Sequence, residues 1–267
     1  MSFGRIENYF SVLNRELEFR FVLPDDIRFT KNFDGTPNPH YQRPTKVLLV
    51  LNGATHNNLE WLMHTPIHDM AIKYNLAVIL PSGENSFYVN THGNRFADYV
   101  GKELMEYACK TFGLSDRKED HFVMGLSMGG FGAIHTGLAY SDTFSKIAAF
   151  SSALIIHEVA GAKEGFQNGG GDYKHYVRMF GDLDNILTSD INPEQLIRDH
   201  QAAGKPTPDM YLCCGTEDFL LEHNREFKRF LDENQVPHVY YESPGAHDYS
   251  FWSPYVEKAI KWMLEVE

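Results

Sequence analysis

The stretch that decides the fold is HFVMGLSMGG, residues 121–130, in which an apolar run leads into Gly-x-Ser-x-Gly. The apolar run predicts a buried strand, and the residues from Met128 onward predict a helix. Gly125 and Gly129 flank the turn between them, where a Cβ would crowd the neighbouring elements. The stretch therefore predicts that Ser127 projects its Oγ from the carboxyl edge of a sheet, where open α/β folds bind ligands.

An acidic candidate follows a second predicted strand. The apolar run MYLCC, residues 210–214, is followed directly by GTED, residues 215–218. A carboxylate just past a strand end is well placed to accept a hydrogen bond from an imidazole on a neighbouring loop. Asp218 is the preferred acid and Glu217 the competing neighbour, although an acidic residue after a strand is also common as a helix N-cap.

A histidine completes the set. His247 lies in the turn-rich segment SPGAHD, residues 243–248, between a predicted strand and a predicted helix. The order serine, acid, histidine, with each residue near the end of a strand, is typical of enzymes that use a serine nucleophile on a strand–turn–helix. We therefore predict that His247 is the general base for Ser127 and that Asp218 orients its imidazole.

Such chemistry also needs two backbone N–H groups that bind the oxyanion. One comes from the residue after the nucleophile, here Met128, and the other from the loop after an earlier strand. The run KVLLVL, residues 46–51, predicts that strand, and NGAT, residues 52–55, follows it. Ala54 is the best second donor, and the Asn-Gly pair is at the same time a strong turn signal.

The chain resembles the esterase D family of α/β-hydrolases, and within it the tributyrin esterase and acetylesterase-like branch. The resemblance covers about residues 46–263 and is carried by PSGENSFY (81–88), GLSMGGFG (125–132), CGTEDFL (214–220) and PGAHDY (244–249). It implies a catalytic triad of Ser127, Asp218 and His247. Relatives often carry His-Gly at the oxyanion strand end, where this chain has Asn52-Gly53, and that difference leaves the orientation of the second donor open.

The function expected from these residues is hydrolysis of short-chain carboxylic esters, acetyl to butyryl, through an acyl-enzyme and without a cofactor. Aromatic residues on the strand-end loops favour a shallow acyl pocket. The candidate substrate contacts are Phe87, Tyr88, Tyr249 and Trp252. A thioesterase of the S-formylglutathione hydrolase type or a feruloyl esterase would share the triad and stays open. A non-catalytic binding scaffold would instead predict a damaged triad.

Composition restricts the classes of partner. The 267 residues have 43% hydrophobic and 22% charged side chains, which are ordinary values for one large enzyme domain. The net charge of −12 argues against nucleic acid or an anionic membrane surface as a partner. The expected partner is a small-molecule ester, and a homo-oligomer is left open.

Cysteine, histidine and hydropathy patterns add further expectations. Three cysteines do not make a disulfide framework, and the sequence has neither a signal-peptide pattern nor an apolar run of transmembrane length. Together these features favour the cytoplasm. The thirteen histidines are scattered without metal-ligand spacing, so no metal site is predicted.

The order of predicted elements indicates an α/β-hydrolase fold, a mostly parallel sheet with an N-terminal antiparallel hairpin and helices on both faces. Residues 16–23 alternate with period two, as expected of a half-buried edge strand. The further predicted strands are Val47–Leu51, Leu76–Leu80, His121–Leu126, Ile147–Phe150, Met210–Cys214 and Val239–Glu242. The predicted helices are Ile67–Tyr74, Phe96–Phe112, Met128–Tyr140, Glu222–Glu233 and Trp252–Leu264.

One segment does not follow this alternation of strands and helices. Residues 153–208 carry clustered glycines followed by aromatic residues and a further helical pattern. The prediction is one domain over residues 1–267, with 153–208 inserted after the sixth strand as a small cap over the site. The alternative is a surface excursion that makes no substrate contact.

Overall fold

A central sheet of eight strands forms the middle layer of the protein, as seen in a computed structural model that describes residues 1–91 and 93–266. The strands follow one another across the sheet in the order β1-β2-β4-β3-β5-β6-β7-β8. They are β1 Ser2–Phe10, β2 Arg15–Leu23, β3 Lys46–Leu51, β4 Leu76–Pro81, β5 His121–Leu126, β6 Lys146–Phe150, β7 Asp209–Gly215 and β8 His238–Ser243.

Strand direction matches the sequence prediction. Strand β2 pairs antiparallel with both β1 and β4, whereas β3 to β8 pair with one another in parallel. The β1–β2 hairpin at one edge pairs in register from Ser2 opposite Leu23 to Phe10 opposite Arg15. The predicted fold class, a mostly parallel α/β-hydrolase sheet with an N-terminal antiparallel hairpin, is confirmed.

Ten α-helices occur in the described residues. They are α1 Glu60–His64, α2 Ile67–Lys73, α3 Phe96–Asp98, α4 Leu104–Phe112, α5 Met128–Ala139, α6 Ile156–Val159, α7 Tyr173–Phe180, α8 Pro193–Ala202, α9 Leu221–Glu233 and α10 Tyr249–Leu264.

Three predicted helices differ from the structure by one residue at one end, and two differ by more. Helix α10 begins three residues earlier than expected because the Asp248 carboxylate caps it, accepting from the amides of Ser250 and Phe251 at 2.9 and 3.2 Å. The helix predicted over residues 96–112 contains a π-helical turn, Tyr99–Glu103, between α3 and α4. Periodicity alone does not reveal such an inserted residue.

The core lies on both faces of the sheet. Alternate residues of β3 point to opposite sides, so Val47, Leu49 and Leu51 join the cluster beneath α4 and α5. Leu48 and Val50 join the second cluster, which α1, α2 and α10 cover. Burial on both faces explains why the parallel strands are continuous apolar runs.

Residues 153–208 pack on the α5 side of the sheet. They contain α6, a short antiparallel ribbon of Gln167–Asn168 with Gly171–Asp172, and then α7 and α8. Tyr176 and Phe180, one helical turn apart on α7, are buried, with their rings stacked at 6.4 Å between centroids. Burying a side chain of this size stabilises the fold by about 1.5–3 kcal/mol, so the segment is anchored by its own apolar face.

Candidate active site

The turn between β5 and α5 holds Ser127 in an uncommon backbone conformation. Its φ is 56° and its ψ is −122°, values that a side chain larger than glycine rarely adopts. A Cβ on Gly125 would lie 1.9 Å from the carbonyl oxygen of Gly129, and one on Gly129 would lie 2.2 Å from that of Leu51. The two glycines therefore allow α5 to approach β3 and β5 closely enough to form the turn.

Ser127, His247 and Asp218 form one hydrogen-bonded chain. The Ser127 Oγ lies 2.9 Å from Nε2 of His247. On the other side of the ring, Nδ1 lies 2.9 and 3.0 Å from the two carboxylate oxygens of Asp218. Asp218 follows β7 and His247 precedes α10, so the structure brings together three residues that are far apart in sequence.

Asp218 lies in a buried, donor-rich environment. Burial by itself would raise its pKa, but hydrogen bonds from His247, Ser151 and the Leu220 amide outweigh that effect and hold the pKa below its usual value. The amide of Leu220 donates to Oδ1 at 2.8 Å. The carboxylate is therefore ionised at neutral pH and can orient the imidazole and stabilise its protonated form.

The competing acid, Glu217, faces elsewhere. Its Oε2 accepts from the Gly245 amide at 2.5 Å, and its Oε1 accepts from the Thr216 hydroxyl at 2.8 Å. Glu217 thus stabilises the backbone of the loop that carries His247, while its neighbour Asp218 contacts the ring.

Sequence reasoning missed Ser151. Its hydroxyl accepts from Trp252 Nε1 at 2.9 Å, and its proximity to the carboxylate of Asp218 helps to lower the pKa of that group. Ser151 is buried, has a φ of 45° and directly follows β6. Its place at the carboxyl edge of the sheet is a signal that could have singled it out.

Aromatic rings enclose the imidazole. The ring centroid of His247 lies 4.5 Å from that of Phe219 and 4.8 Å from that of Trp252. Trp252 is buried, whereas Phe219 is exposed beside the cavity described below. Contacts on two sides limit the rotation of the ring while its Nε2 stays directed at Ser127.

A cavity of about 610 Å³ opens at Ser127. Both predicted oxyanion donors, Met128 and Ala54, belong to its lining. Met128 is the first residue of α5, where helix N–H groups are unpaired and the helix dipole favours negative charge. Most of the cavity lining is apolar, and it includes Phe87, Ala153, Ile155, Tyr176, Phe219 and Leu220.

Part of the lining of this cavity is polar. Glu158 accepts from Asn168 Nδ2 at 2.7 Å, and its other oxygen lies 3.1 Å from Nε2 of His223. No Lys or Arg contributes to the lining within the described residues. This part of the lining therefore offers a carboxylate and an imidazole that already contact each other, and no fixed cation.

A smaller cavity of about 240 Å³ adjoins Ser127 and His247. Tyr249 and Trp252, two of the predicted substrate contacts, lie here and not in the large cavity. Ala54 lines both cavities, so the loop after β3, residues 52–55, lies between them.

One predicted substrate contact needs correction. Phe87 lines the large cavity, but Tyr88 does not line either of these two cavities. The Tyr88 ring is fully buried, and its hydroxyl donates to the carbonyl and side-chain oxygens of Asn52, both at 3.1 Å. Phe87 faces the cavity, whereas Tyr88 is buried against the loop after β3. The sequence shows two adjacent aromatic residues and does not show that their rings point in different directions.

Comparison with known proteins agrees with this geometry. A family model described as "Putative esterase" matches residues 11–263. The chain belongs to this esterase family. An acetyl esterase from Caldicellulosiruptor saccharolyticus is 36% identical over 271 residues, which span 100% of this chain and 99% of that protein.

Solved structures of other esterases superpose on nearly the whole chain. The fluorophosphonate-binding serine hydrolase F of Staphylococcus aureus has 28% identity and a TM-score of 0.83, with 98% of both chains covered. An S-formylglutathione hydrolase from the same organism has 27% identity and a TM-score of 0.81, again with 98% of both chains covered. The predicted resemblance to esterase D-like hydrolases is thus confirmed. The protein is an α/β-hydrolase that acts on carboxylic ester bonds, and its substrate is a small-molecule ester.

Two further observations concern the described residues beyond the active site. Within residues 1–91 and 93–266, no helix combines the length and the apolarity that a membrane crossing requires. The same residues contain no group of three or more His, Cys, Asp or Glu side chains arranged to hold a metal ion.

A first prediction concerns Gly129, where α5 lies close to the backbone of β3. Gly129→Ala places a Cβ against the Leu51 carbonyl, which belongs to a central strand and cannot move aside cheaply. We expect a loss of about 1–3 kcal/mol in the free energy of unfolding, measured by denaturant titration. Gly169→Ala is the control, because a Cβ there meets no atom within 4 Å. Equal stability of the two variants would contradict this account of the turn.

Proposed function

We propose that the esterase works through an acyl-enzyme on Ser127. As the Ser127 Oγ attacks the ester carbonyl, His247 accepts its proton, and Asp218 holds the imidazole and stabilises its charge. The imidazolium then donates that proton to the leaving alcohol. Water, activated by the same imidazole, releases the acid and restores the serine. The observation that carries this proposal is the hydrogen-bonded chain of these three side chains, whose serine lines the large cavity.

The amides of Met128 and Ala54 are proposed to bind the oxyanion. Both residues line the cavity beside Ser127. Each such donor contributes about 3 kcal/mol to stabilising the transition state in enzymes of this kind.

For the substrate we propose neutral esters with short acyl chains, acetyl to butyryl. The similarity to an acetyl esterase over the full chain supports this choice. Rigid walls support it as well, because the ring of Phe87 packs against Phe131 and Phe180, with centroids 5.6 and 4.7 Å apart. The large cavity is expected to hold the alcohol together with the acyl chain, since its volume is that of a complete small-ligand site.

An S-formylglutathione hydrolase is the second candidate, favoured by the similarity to such an enzyme over 98% of both chains. Glutathione carries carboxylates, and the large cavity lacks a Lys or Arg in its described lining, while Glu158 adds negative charge to its wall. The overall charge of −12 acts in the same direction. These features favour a neutral ester.

Residues 153–208 are proposed to form the cap within one domain that comprises residues 1–267. Asn168 and Gly169 on the short ribbon, with His175 and Tyr176 on α7, line the large cavity, which supports a part in substrate selection. A cytoplasmic location remains a proposal, supported by the presence of all three cysteines as buried free thiols. A homo-oligomer likewise stays open.

The role of Ser127 has a direct test. Ser127→Ala removes the proposed nucleophile but no packing group, so we expect kcat to fall by about 10⁴-fold or more while the unfolding transition is unchanged. Labelling by a fluorophosphonate probe, followed by mass spectrometry, is expected at this residue and lost in the variant. Ser145→Ala, at the start of β6, is the control. Persistent turnover and labelling in Ser127→Ala would refute the assignment.

Two substitutions, each of which replaces a carboxylate by its uncharged amide, test which residue is the acid. Asp218→Asn keeps the shape but removes the charge and favours the wrong imidazole tautomer, so kcat should fall by about 10⁴-fold. Glu217→Gln changes the adjacent carboxylate, which bonds to Gly245 and Thr216, and should retain most activity. If Glu217→Gln lowers kcat more than Asp218→Asn does, the acid is Glu217 and not Asp218.

A substrate panel separates the candidate functions. We expect kcat/KM to be highest for p-nitrophenyl acetate to butyrate and to fall by octanoate, because a methylene that meets a packed wall costs about 1–3 kcal/mol. S-formylglutathione and methyl ferulate are measured beside them. Highest kcat/KM for octanoate, for the thioester or for the ferulate would each reject the short-chain proposal and indicate a different enzyme class.

A further inference from the structure

In the loop after β3, two backbone amides donate to protein acceptors and the amide between them does not. The Gly53 amide donates to Glu60 Oε2 at 2.6 Å, and the Thr55 amide donates to Asn85 Oδ1 at 2.6 Å. Between them, the Ala54 amide has no protein acceptor within the described residues. The loop is therefore held on both sides of the Ala54 amide, and Ala54 itself lines the cavity at Ser127.

The side chain of Asn52 holds the same loop from within. Its Nδ2 donates to the carbonyl oxygens of Gly53 at 2.7 Å and of His56 at 3.1 Å. Its Oδ1 accepts from the Gly83 amide at 2.9 Å and from the Tyr88 hydroxyl at 3.1 Å. Asn52 is buried, and each of its polar atoms makes two hydrogen bonds, so it has a single rigid orientation.

Peptide planarity links this contact to catalysis. In a trans peptide the C=O and the N–H lie in one plane and point in opposite directions. The carbonyl of Gly53 and the N–H of Ala54 belong to the same peptide, so the bond from Asn52 to the carbonyl fixes the direction of the N–H. Without it, a glycine at this point would let the peptide rotate.

Glu60 extends the arrangement to the histidine loop. Its side chain is 1% exposed, and its nearest basic group is His56 Nε2 at 3.9 Å. Its Oε1 accepts from the Tyr249 hydroxyl at 2.7 Å, two residues after His247. Burying a carboxylate costs free energy unless it is well bonded. The two bonds of Glu60 go to the loop after β3 and to the first residue of α10, next to the loop that carries His247.

We propose that Asn52 and Glu60 are positioning residues that clamp Gly53 by its carbonyl and its amide and thereby aim the Ala54 N–H at the oxyanion. Glu60 also ties this loop, through Tyr249, to the loop that carries His247. The inference rests on the proposed acyl-enzyme at Ser127 and adds the groups that hold its oxyanion site in place.

Asn52→Asp tests the clamp at constant size. An aspartate keeps the acceptor for Gly83 and Tyr88 but sets an oxygen against the Gly53 carbonyl. Since losing an oxyanion donor costs about 10²–10³-fold in kcat, a misaimed donor should cost about 10–100-fold with KM little changed. Inhibition by an alkyl trifluoromethyl ketone, whose adduct carries the oxyanion, should weaken in parallel.

Asn75→Asp is the matched control. Asn75 is also buried, and its Nδ2 donates to the carbonyls of His40 and Arg43 at 3.0 and 3.2 Å, at the start of β4 and away from the site. It should lose thermal stability like Asn52→Asp but keep kcat and the inhibition constant. If Asn52→Asp also keeps both, the clamp is refuted.

A second pair keeps the proposal testable should Asn52→Asp fail to fold. Glu60→Gln retains a single acceptor oxygen and should lower kcat about two- to tenfold. Its control is Glu103→Gln, because Glu103 accepts from the amides of Ser11 and Val12 at 2.7 and 3.0 Å in the N-terminal hairpin. Equal kcat in these two variants would reject the role of Glu60.

The outcome is separable from the proposed function. An active Ser127→Ala protein would refute the acyl-enzyme itself. An inactive Ser127→Ala protein, combined with unchanged kcat and inhibition in Asn52→Asp or in Glu60→Gln, would leave the acyl-enzyme standing and remove only the clamp.

Discussion

The close approach of α5 to the central strands is the constraint on which the rest of the site depends. Because Gly125 and Gly129 have no Cβ, the first turn of α5 lies against the carbonyls of β3, and the chain between β5 and α5 has to reverse at Ser127. The amide of Ser127 is bonded to the Phe150 carbonyl at 2.9 Å, and its own carbonyl accepts from Ala153 at 3.0 Å. Backbone hydrogen bonds thus hold Ser127, the proposed nucleophile, independently of the side chains that contact it.

Parallel topology brings the remaining groups to the same edge. The segments after β3, β6, β7 and β8 supply Ala54, Ser151, Asp218 and His247 in turn. Since each of these strands runs in the same direction, their carboxyl ends meet beside Ser127. The antiparallel β1–β2 hairpin contributes none of these residues, whereas α5 and α10 add Met128 and Trp252 at the same edge.

A second set of buried polar residues, Ser151, Asn52 and Glu60, surrounds the three predicted ones. Ser151 accepts from the Trp252 indole beside the carboxylate of Asp218, while Asn52 and Glu60 bond to the backbone of the loop after β3. Buried polar groups of this kind are costly unless fully bonded, and full bonding also makes them rigid. Rigidity is what a preorganised oxyanion site requires, because donors that need no reorganisation stabilise charge most effectively.

The sequence by itself determined the strand–helix alternation, the nucleophile turn and the order of Ser127, Asp218 and His247, because these follow from local patterns: apolar runs, two glycines and residues just past strand ends. Only the tertiary structure decided that Tyr88 supports a loop while Phe87 faces the cavity, and that Asn52 and Glu60 meet at Gly53. The physical reason is that side-chain direction and hydrogen-bond partnership depend on contacts between segments distant in sequence. Periodicity within one segment carries no information about such contacts.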